Sequence, residues 1–299
     1  MVKQKKRKWE SQGDRIFRGF TVLILILLCL VILYPVFFVV GRSFMLDSER
    51  AAHPLSVIPR KPSLDAYQYI FMRGSYVLNA YGITIARTLL GTALNLGATI
   101  MLAFVLAQNQ YPLQKPLTMM VVFTMWFSGG VVPNYMLMRL LNLTNSFWVY
   151  ILPGLISAWN MLILRNFFLE IPTALIESAS IDGANELQIM VRIVVPVSKA
   201  SIATISLFYA VTHWNAWFDA VTYVTDRKLW TMQVFLREII RSAQVVDLVE
   251  PEAASRAAIP QAEMVQMATI VITALPIICV YPFLQKYFVK GVMVGSVKG

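Results

Sequence analysis

The segment YAVTHWNAWFDAVTY gathers His213, Trp214, Asn215, Trp217 and Asp219 in otherwise apolar surroundings. Imidazole, amide and carboxylate groups exchange hydrogen bonds, and indoles offer flat apolar faces. On a helix Tyr209, His213 and Trp217 share one face at spacings of four, while Asn215 and Asp219 share the next. Polar and ionisable groups inside a membrane span are costly and usually mark a pathway, although Asn and His also join helices and Trp anchors at interfaces. Arg87 in ITIARTLL is a second such group. A cation at the bilayer centre costs about 3 kcal/mol or more, so it either faces a path and receives an anion, or it snorkels or pairs with a neighbour near the outer interface. Asn134 and Tyr135 in SGGVVPNY, and Asn160 in SAWNM, are secondary candidates with helix packing as the alternative.

A different cluster lies in IESASIDGANELQIMVRIVVP, which holds Glu177, Asp182, Asn185, Glu186 and Arg192 together with Gly183 and Pro196. Pro172 and Thr173 start a short helix there, with Leu175, Ile176, Ala179 and Ile181 as its apolar face. Gly183 ends it. Asp182 or Asn185 can cap a second short helix through ELQIMVRIVV, with Glu186 in its first turn. Pro196 is expected to close that helix, and Ser198 to cap the next span. Two short helices joined at a glycine make a rigid knuckle, and its small residues Ser178, Ala179, Ser180 and Ala184 let another protein approach closely.

The elements that must carry these groups follow from composition. Of 299 residues, 58% are hydrophobic and only 14% charged, and several apolar runs reach the roughly 18 residues that cross a bilayer. The fold class is an all-α integral membrane protein. Residues 16–40 form a first span, retained as an anchor because it is too long for a signal-peptide core. Residues 78–107, 117–141, 146–167, 199–224 and 264–288 make it six. Gly129, Gly130 and Pro133 should break the third span, and Pro276 and Pro282 should kink the sixth.

With the basic tail KQKKRK inside, 1–15 is a cytoplasmic tail and 41–77 an extracytoplasmic loop. Residues 78–288 then form a five-helix core with loop 168–198 inside and loop 225–263 outside, and 289–299 is a cytoplasmic tail. Within the outer loop, LWTMQVFLREIIRS repeats apolar residues at helical spacing, which predicts a short interfacial helix. Cys29 and Cys279 lie in apolar runs, so neither a disulfide framework nor a CxxC metal pair is available. His53 and His213 make no HExxH, and no glycine precedes a lysine, which excludes a Walker A loop. The net charge of +10 flanks apolar segments and suits an anionic inner leaflet better than nucleic acid.

Glu177, Ala179, Gly183, Ile193 and Pro196 resemble, at every spacing, the E-A-A, three residues, G, nine residues, I-x-L-P motif of ABC importer permease subunits. Ser178 and Val195 are mild departures from it. SGGVVPNY, ILPGLISAWNMLILRNFF, HWNAWFDAVTYV and QKYFVKGVMVGSVKG are similar to the complex-oligosaccharide and alginate branch of the maltose-permease type, from about residue 70 to the end. The resemblance implies the six-helix type I importer permease fold in a bacterial cytoplasmic (inner) membrane. It implies that the knuckle is a coupling helix seated on an ATPase subunit. Glu177 would face basic groups there, Ala179 would sit tightly in the groove, Gly183 would make the bend, and Asp182 would cap or touch the partner.

The implied partners are a second permease, two ATP-binding subunits that carry ATP and Mg, and an extracytoplasmic solute-binding protein. The loop after LWTMQVFLREIIRS would reach into that protein. The chain itself would be non-catalytic, without a cofactor or a metal of its own. An oligosaccharide substrate fits the first cluster, since rings cover pyranose faces while amide, imidazole and carboxylate groups bind hydroxyls. Arg87 could then receive a uronate. An ion-coupled secondary sugar transporter is the competing reading, but it calls for an internal repeat and a relay of ionisable groups that the sequence does not display.

Overall fold

Past Arg18, residues 16–40 carry no charge, and in the computed structural model they lie within one helix, α1 (Gln12–Ser43). The structure describes residues 12–53, 56–72, 74–108, 111–249 and 263–279. The N-terminal KQKKRK tail, the outer-loop stretch 250–262, Pro282 and the C-terminal tail 289–299 lie outside those residues. The chain divides into two units: residues 1–70 with 240–272, and residues 71–239 with 273–299.

In the first unit, α1 exposes its side chains from Gly13 to Phe37, as expected of an apolar helix meeting lipid or another subunit. The chain then turns through α2 (Asp47–Ala52) into α3 (Asp65–Met72). The Glu49 carboxylate accepts the Arg60 N–H at 2.6 Å, and Ser43 Oγ and Tyr67 Oη share a hydrogen bond of 2.8 Å. Buried Arg42 pairs with Glu263 at 2.8 Å and lies over the Phe38 ring.

The second unit is organised on α4 (Gly74–Ala107). Val77, Ala80, Thr84, Arg87, Gly91, Asn95, Thr99, Ala103 and Leu106 form a buried stripe in steps of three and four, with Phe104 buried beside it. The stripe is small and polar at its middle while the opposite face is apolar. That is the inverse of a soluble helix and suits one that packs inward through small and polar groups in lipid. The chain continues through α5 (Gln114–Trp126), α6 (Val131–Leu140), two 3-10 turns (Phe147–Tyr150, Leu152–Gly154) and α7 (Ala158–Leu169). Next come α8 (Thr173–Ile181), α9 (Glu186–Ile189), a π-turn (Met190–Val194) and α10 (Val195–Val197). The unit continues with α11 (Lys199–Asn215), α12 (Phe218–Tyr223), a 3-10 turn (Arg227–Leu229) and the start of α13 (Met232–Val249). α14 (Glu263–Cys279) follows. Helix α4 packs along α11 and α7, and one core joins Ala103, Phe104 and Leu106 to Met161, Leu164, Ile205 and Tyr209.

Three spans differ from single straight helices. α5 and α6 meet at 116° across Phe127–Gly130, where the paired glycines and Pro133 stand. Gly130, at φ 84°, supplies a conformation that other residues resist. The fourth span begins as 3-10 turns around Pro153 and bends by 51° into α7. The fifth, expected as one helix over 199–224, stops at Asn215 and restarts at Phe218. Among the described residues, two helices are long and apolar enough to cross a membrane, and up to five spans result if each bent pair counts as one, with α14 as a shorter apolar helix. α14 runs through Pro276 to Cys279.

Candidate functional site

The polar stripe of α4 opens onto a cavity of about 990 Å³, walled by α4, the 3-10 turns, α7, α11 and α12. α4 contributes Arg87 and Asn95; the turns contribute Tyr150, Pro153 and Gly154; α7 contributes Trp159 and Asn160. Tyr209 and His213 come from α11, and Asp219 and Tyr223 from α12. Hydrogen bonds hold this wall. Tyr209 Oη bonds Thr99 Oγ1 at 2.7 Å and accepts the Ser157 N–H at 3.0 Å, which ties α11 to α4 and to the start of α7. Asn95 Nδ2 donates to the Gly154 carbonyl at 3.0 Å, and Tyr150 Oη to the Leu229 carbonyl at 2.7 Å. Ser157 caps α7 by accepting the Asn160 N–H at 3.3 Å.

Arg87, only 2% exposed, is ion-paired with Asp219. One terminal nitrogen also donates to Asp219 Oδ1 at 3.2 Å, and the guanidinium stands 4.6 Å from the centre of the Tyr150 ring. Arg87 is thus paired and at the same time fronts the cavity. His213 is buried against Gly91, where a Cβ would lie 2.5 Å from Nε2, so only glycine lets α4 and the imidazole approach this closely.

The structure brings Arg87, Asn160, His213 and Asp219 into one wall. Among the described residues, that wall leaves out Trp214, Asn215, Trp217, Asn134 and Tyr135. Trp214 Nε1 donates to the Thr273 carbonyl at 3.2 Å, and Asn215 Nδ2 to its own helix at Val211, 3.0 Å away. Trp217 cannot share a face with His213 because the helix has ended; its ring instead lies 3.5 Å from the Arg237 guanidinium. Asn134 is exposed near the start of α6, and Tyr135 stacks on Tyr223 at 6.1 Å, one ring behind the wall. Asn95 and Tyr150 were missed. An amide in TALNLGATIM carries the same in-span polar signal as Arg87 and could have been read.

The knuckle lies at the other end of α4. Helix α8 ends in a Schellman motif: Ala184 N–H reaches the Ala179 carbonyl at 3.0 Å and Gly183 N–H the Ser180 carbonyl at 3.1 Å, with Gly183 at φ 83°. Of the two candidate caps for α9, Asn185 is used. Its side chain accepts the Gln188 N–H at 2.9 Å, and Gln188 Oε1 accepts the Asn185 N–H at 3.0 Å, completing a capping box. Pro196 does not close this helix. The turn before it widens so that the Val195 N–H reaches back to Met190, and the chain runs on to Val197 before bending 87° into α11. Ser198 makes no side-chain cap.

Glu177, Ser178, Asp182 and Gly183 are exposed, Ala184 is half-buried and Pro196 is exposed. Ala179 is buried within its own chain, in one cluster with Ile189, Met190 and Val194. The expected apolar face is split: Ala179 is buried, whereas Ile181 is 87% exposed and forms an apolar tip with Leu187, 64% exposed. Gln108, just past α4, donates to Glu186 Oε2 at 2.7 Å and fastens the knuckle to the helix that lines the cavity.

No protein-family profile matches the chain. It is similar over nearly its whole length to the polygalacturonan/rhamnogalacturonan transport system permease protein YtcP of Bacillus subtilis, with 40% identity over 288 residues, 96% of this chain and 98% of the other. Protein LplC of the same organism is 37% identical over 290 residues, 97% of each chain. The arabinooligosaccharides transport system permease protein AraQ of Bacillus subtilis is 25% identical over 95% of this chain and 97% of its own length. Among solved structures, a bacterial ABC transporter involved in the import of the acidic polysaccharide alginate matches with a TM-score of 0.82 and 29% identity, covering 94% of this chain and 100% of that one.

Proposed function

Since the chain belongs to the permease subunits of ABC sugar-transport systems, we propose that it forms half of the path by which an ATP-driven importer moves oligosaccharides into a bacterial cell. The second half is a homologous permease. A solute-binding protein delivers the sugar outside, and two ATPase subunits, which carry ATP and Mg, dock on the knuckle inside. The observation that carries this reading is the union of cavity and knuckle on one helix: Arg87 and Asn95 front the cavity, and Gln108 holds Glu186.

From Asn95 to Gln108 the axial rise is about 20 Å. Along it, Ala103, Phe104 and Leu106 are packed against α7 and the knuckle, so a displacement of the knuckle is carried to the cavity wall rather than absorbed. ATP drives alternating access only if it favours one of two membrane states, and the rigid knuckle is where that preference enters. The cavity's mixture of rings, amides and a hydroxyl-lined edge suits a sugar, whose apolar faces stack while its hydroxyls bond. In this orientation both termini are cytoplasmic.

The test is purification of the tagged chain from its native membrane. An ATPase and a second permease should accompany it, and ATP hydrolysis in proteoliposomes should rise when sugar-loaded binding protein is added. A chain that purifies alone and takes up sugar on an ion gradient without ATP would overturn the proposal in favour of secondary transport.

A further inference from the structure

Arg87 and Asp219 are unequal partners. The Arg87 side chain is 3% exposed and that of Asp219 24%. Arg87 sits mid-way along a 34-residue helix packed against two others, whereas Asp219 rides on a six-residue helix behind the non-helical step at Ala216 and Trp217. Asp219 Oδ1 also has the Ala220 N–H at 2.8 Å to keep it company when the pair parts. If the two separate, Asp219 therefore moves and Arg87 stays in the wall. Arg87 Nε, buried and without a hydrogen-bond partner among the described residues, is a spare donor beside the pair. Asn95 Oδ1 is likewise buried and unpartnered in the same wall, with its Nδ2 already committed to Gly154. Trp159, on the same wall, is 62% exposed and presents a ring.

A guanidinium stays charged at any working pH, so whatever replaces Asp219 must be an anion, and a planar carboxylate matches the fork. The unpartnered Asn95 oxygen calls for a hydroxyl donor, and the Trp159 ring for a flat apolar face. We propose, resting on the importer reading above, that Arg87 is the receptor for the carboxylate of a hexuronate unit in an acidic oligosaccharide, and that Asp219 is a resident counter-ion exchanged for it. The exchange keeps Arg87 neutralised throughout and releases the Asp219 carboxylate towards water. A neutral sugar has no group able to displace Asp219, so the pair also rejects uncharged oligosaccharides of the same length.

The experiment uses the complete transport complex in proteoliposomes with two probes, a galacturonate trisaccharide and the same trisaccharide with its carboxyls reduced to hydroxymethyl groups. The wild-type complex should import the acidic probe at least tenfold better. Arg87→Gln should lose that preference, and Asp219→Asn, which removes the competitor, should lower the KM for the acidic probe. The charge swap Arg87→Asp with Asp219→Arg keeps an ion pair and should assemble, yet should not recover acidic uptake. The proposal is overturned if the swap restores acidic uptake, if Arg87→Gln slows both probes equally, or if the wild type takes up the acidic probe no better than the reduced one. Co-purification of the ATPase with each variant tests the importer reading separately, because it depends on the knuckle and not on Arg87.

Discussion

At the scale of single residues, Gly183 acts through its backbone. Among the described residues, no atom beyond its chain neighbours lies within 4 Å of where its Cβ would stand, so a side chain meets open space, but φ 83° disfavours any L residue. The left-handed conformation costs an ordinary residue about 1–2 kcal/mol, and asparagine bears it better than others. Gly183→Val should therefore weaken stimulation of the ATPase roughly five- to thirtyfold at a given concentration of coupling partner, while Gly183→Asn should retain most of it. Measuring ATP hydrolysis in the assembled complex distinguishes the two. Equal loss in both variants would mean that a partner surface fills the space beside Gly183. Ile181, at the exposed tip, is the counterpart test: Ile181→Ser leaves the Schellman backbone intact and should reduce co-purification of the ATPase.

At the scale of elements, the close approach of α4 and α11 rests on Gly91 and His213. In Gly91→Ala the new methyl would lie 2.5–2.8 Å from three imidazole atoms, an overpacking worth about 1–3 kcal/mol. His213→Ala makes the room, so the double variant should be more stable in thermal unfolding than Gly91→Ala alone; simple additivity would show that the helices already part at this point. What the sequence disclosed about the elements depended on how local the cause was. The knuckle was legible because Gly183 and Asn185 act on backbone groups within a few residues, and so was the break at Gly129 and Gly130. The stop after Asn215 was not legible, because NAWFD holds no glycine or proline. Tertiary partners accompany it: Arg87 donates to the Ala216 carbonyl at 3.4 Å and pairs with Asp219, and Arg237 lies on the Trp217 ring. That Ala179 is buried within its own chain was not legible for a related reason. Periodicity placed it on an apolar face, but what that face meets is decided by distant residues such as Ile189 and Val194.

At the scale of the whole molecule, orientation decides whether the knuckle can meet an ATPase at all. The short basic tail before α1 should hold the N terminus inside, since lysine and arginine near a span's end resist translocation. Whether the fourth and fifth spans keep the expected alternation despite their bends can be read on the larger unit itself. Cys29 and Cys279 are the chain's two cysteines, each within an apolar helix, so replacing both with alanine provides a clean background. Ser178 is exposed on the knuckle and Lys228 in the turn after α12, and neither side chain is buried in a core. In intact cells a membrane-impermeant maleimide should label Lys228→Cys and spare Ser178→Cys; in inverted vesicles the pattern should reverse. Adding the ATPase subunits to those vesicles should then protect Ser178→Cys by tenfold or more in rate, because the thiol would lie beneath the docked surface. Labelling of Ser178→Cys from outside would invert the topology and remove the basis for ATP coupling, whereas correct sidedness without protection would move the docking surface elsewhere on the inner face.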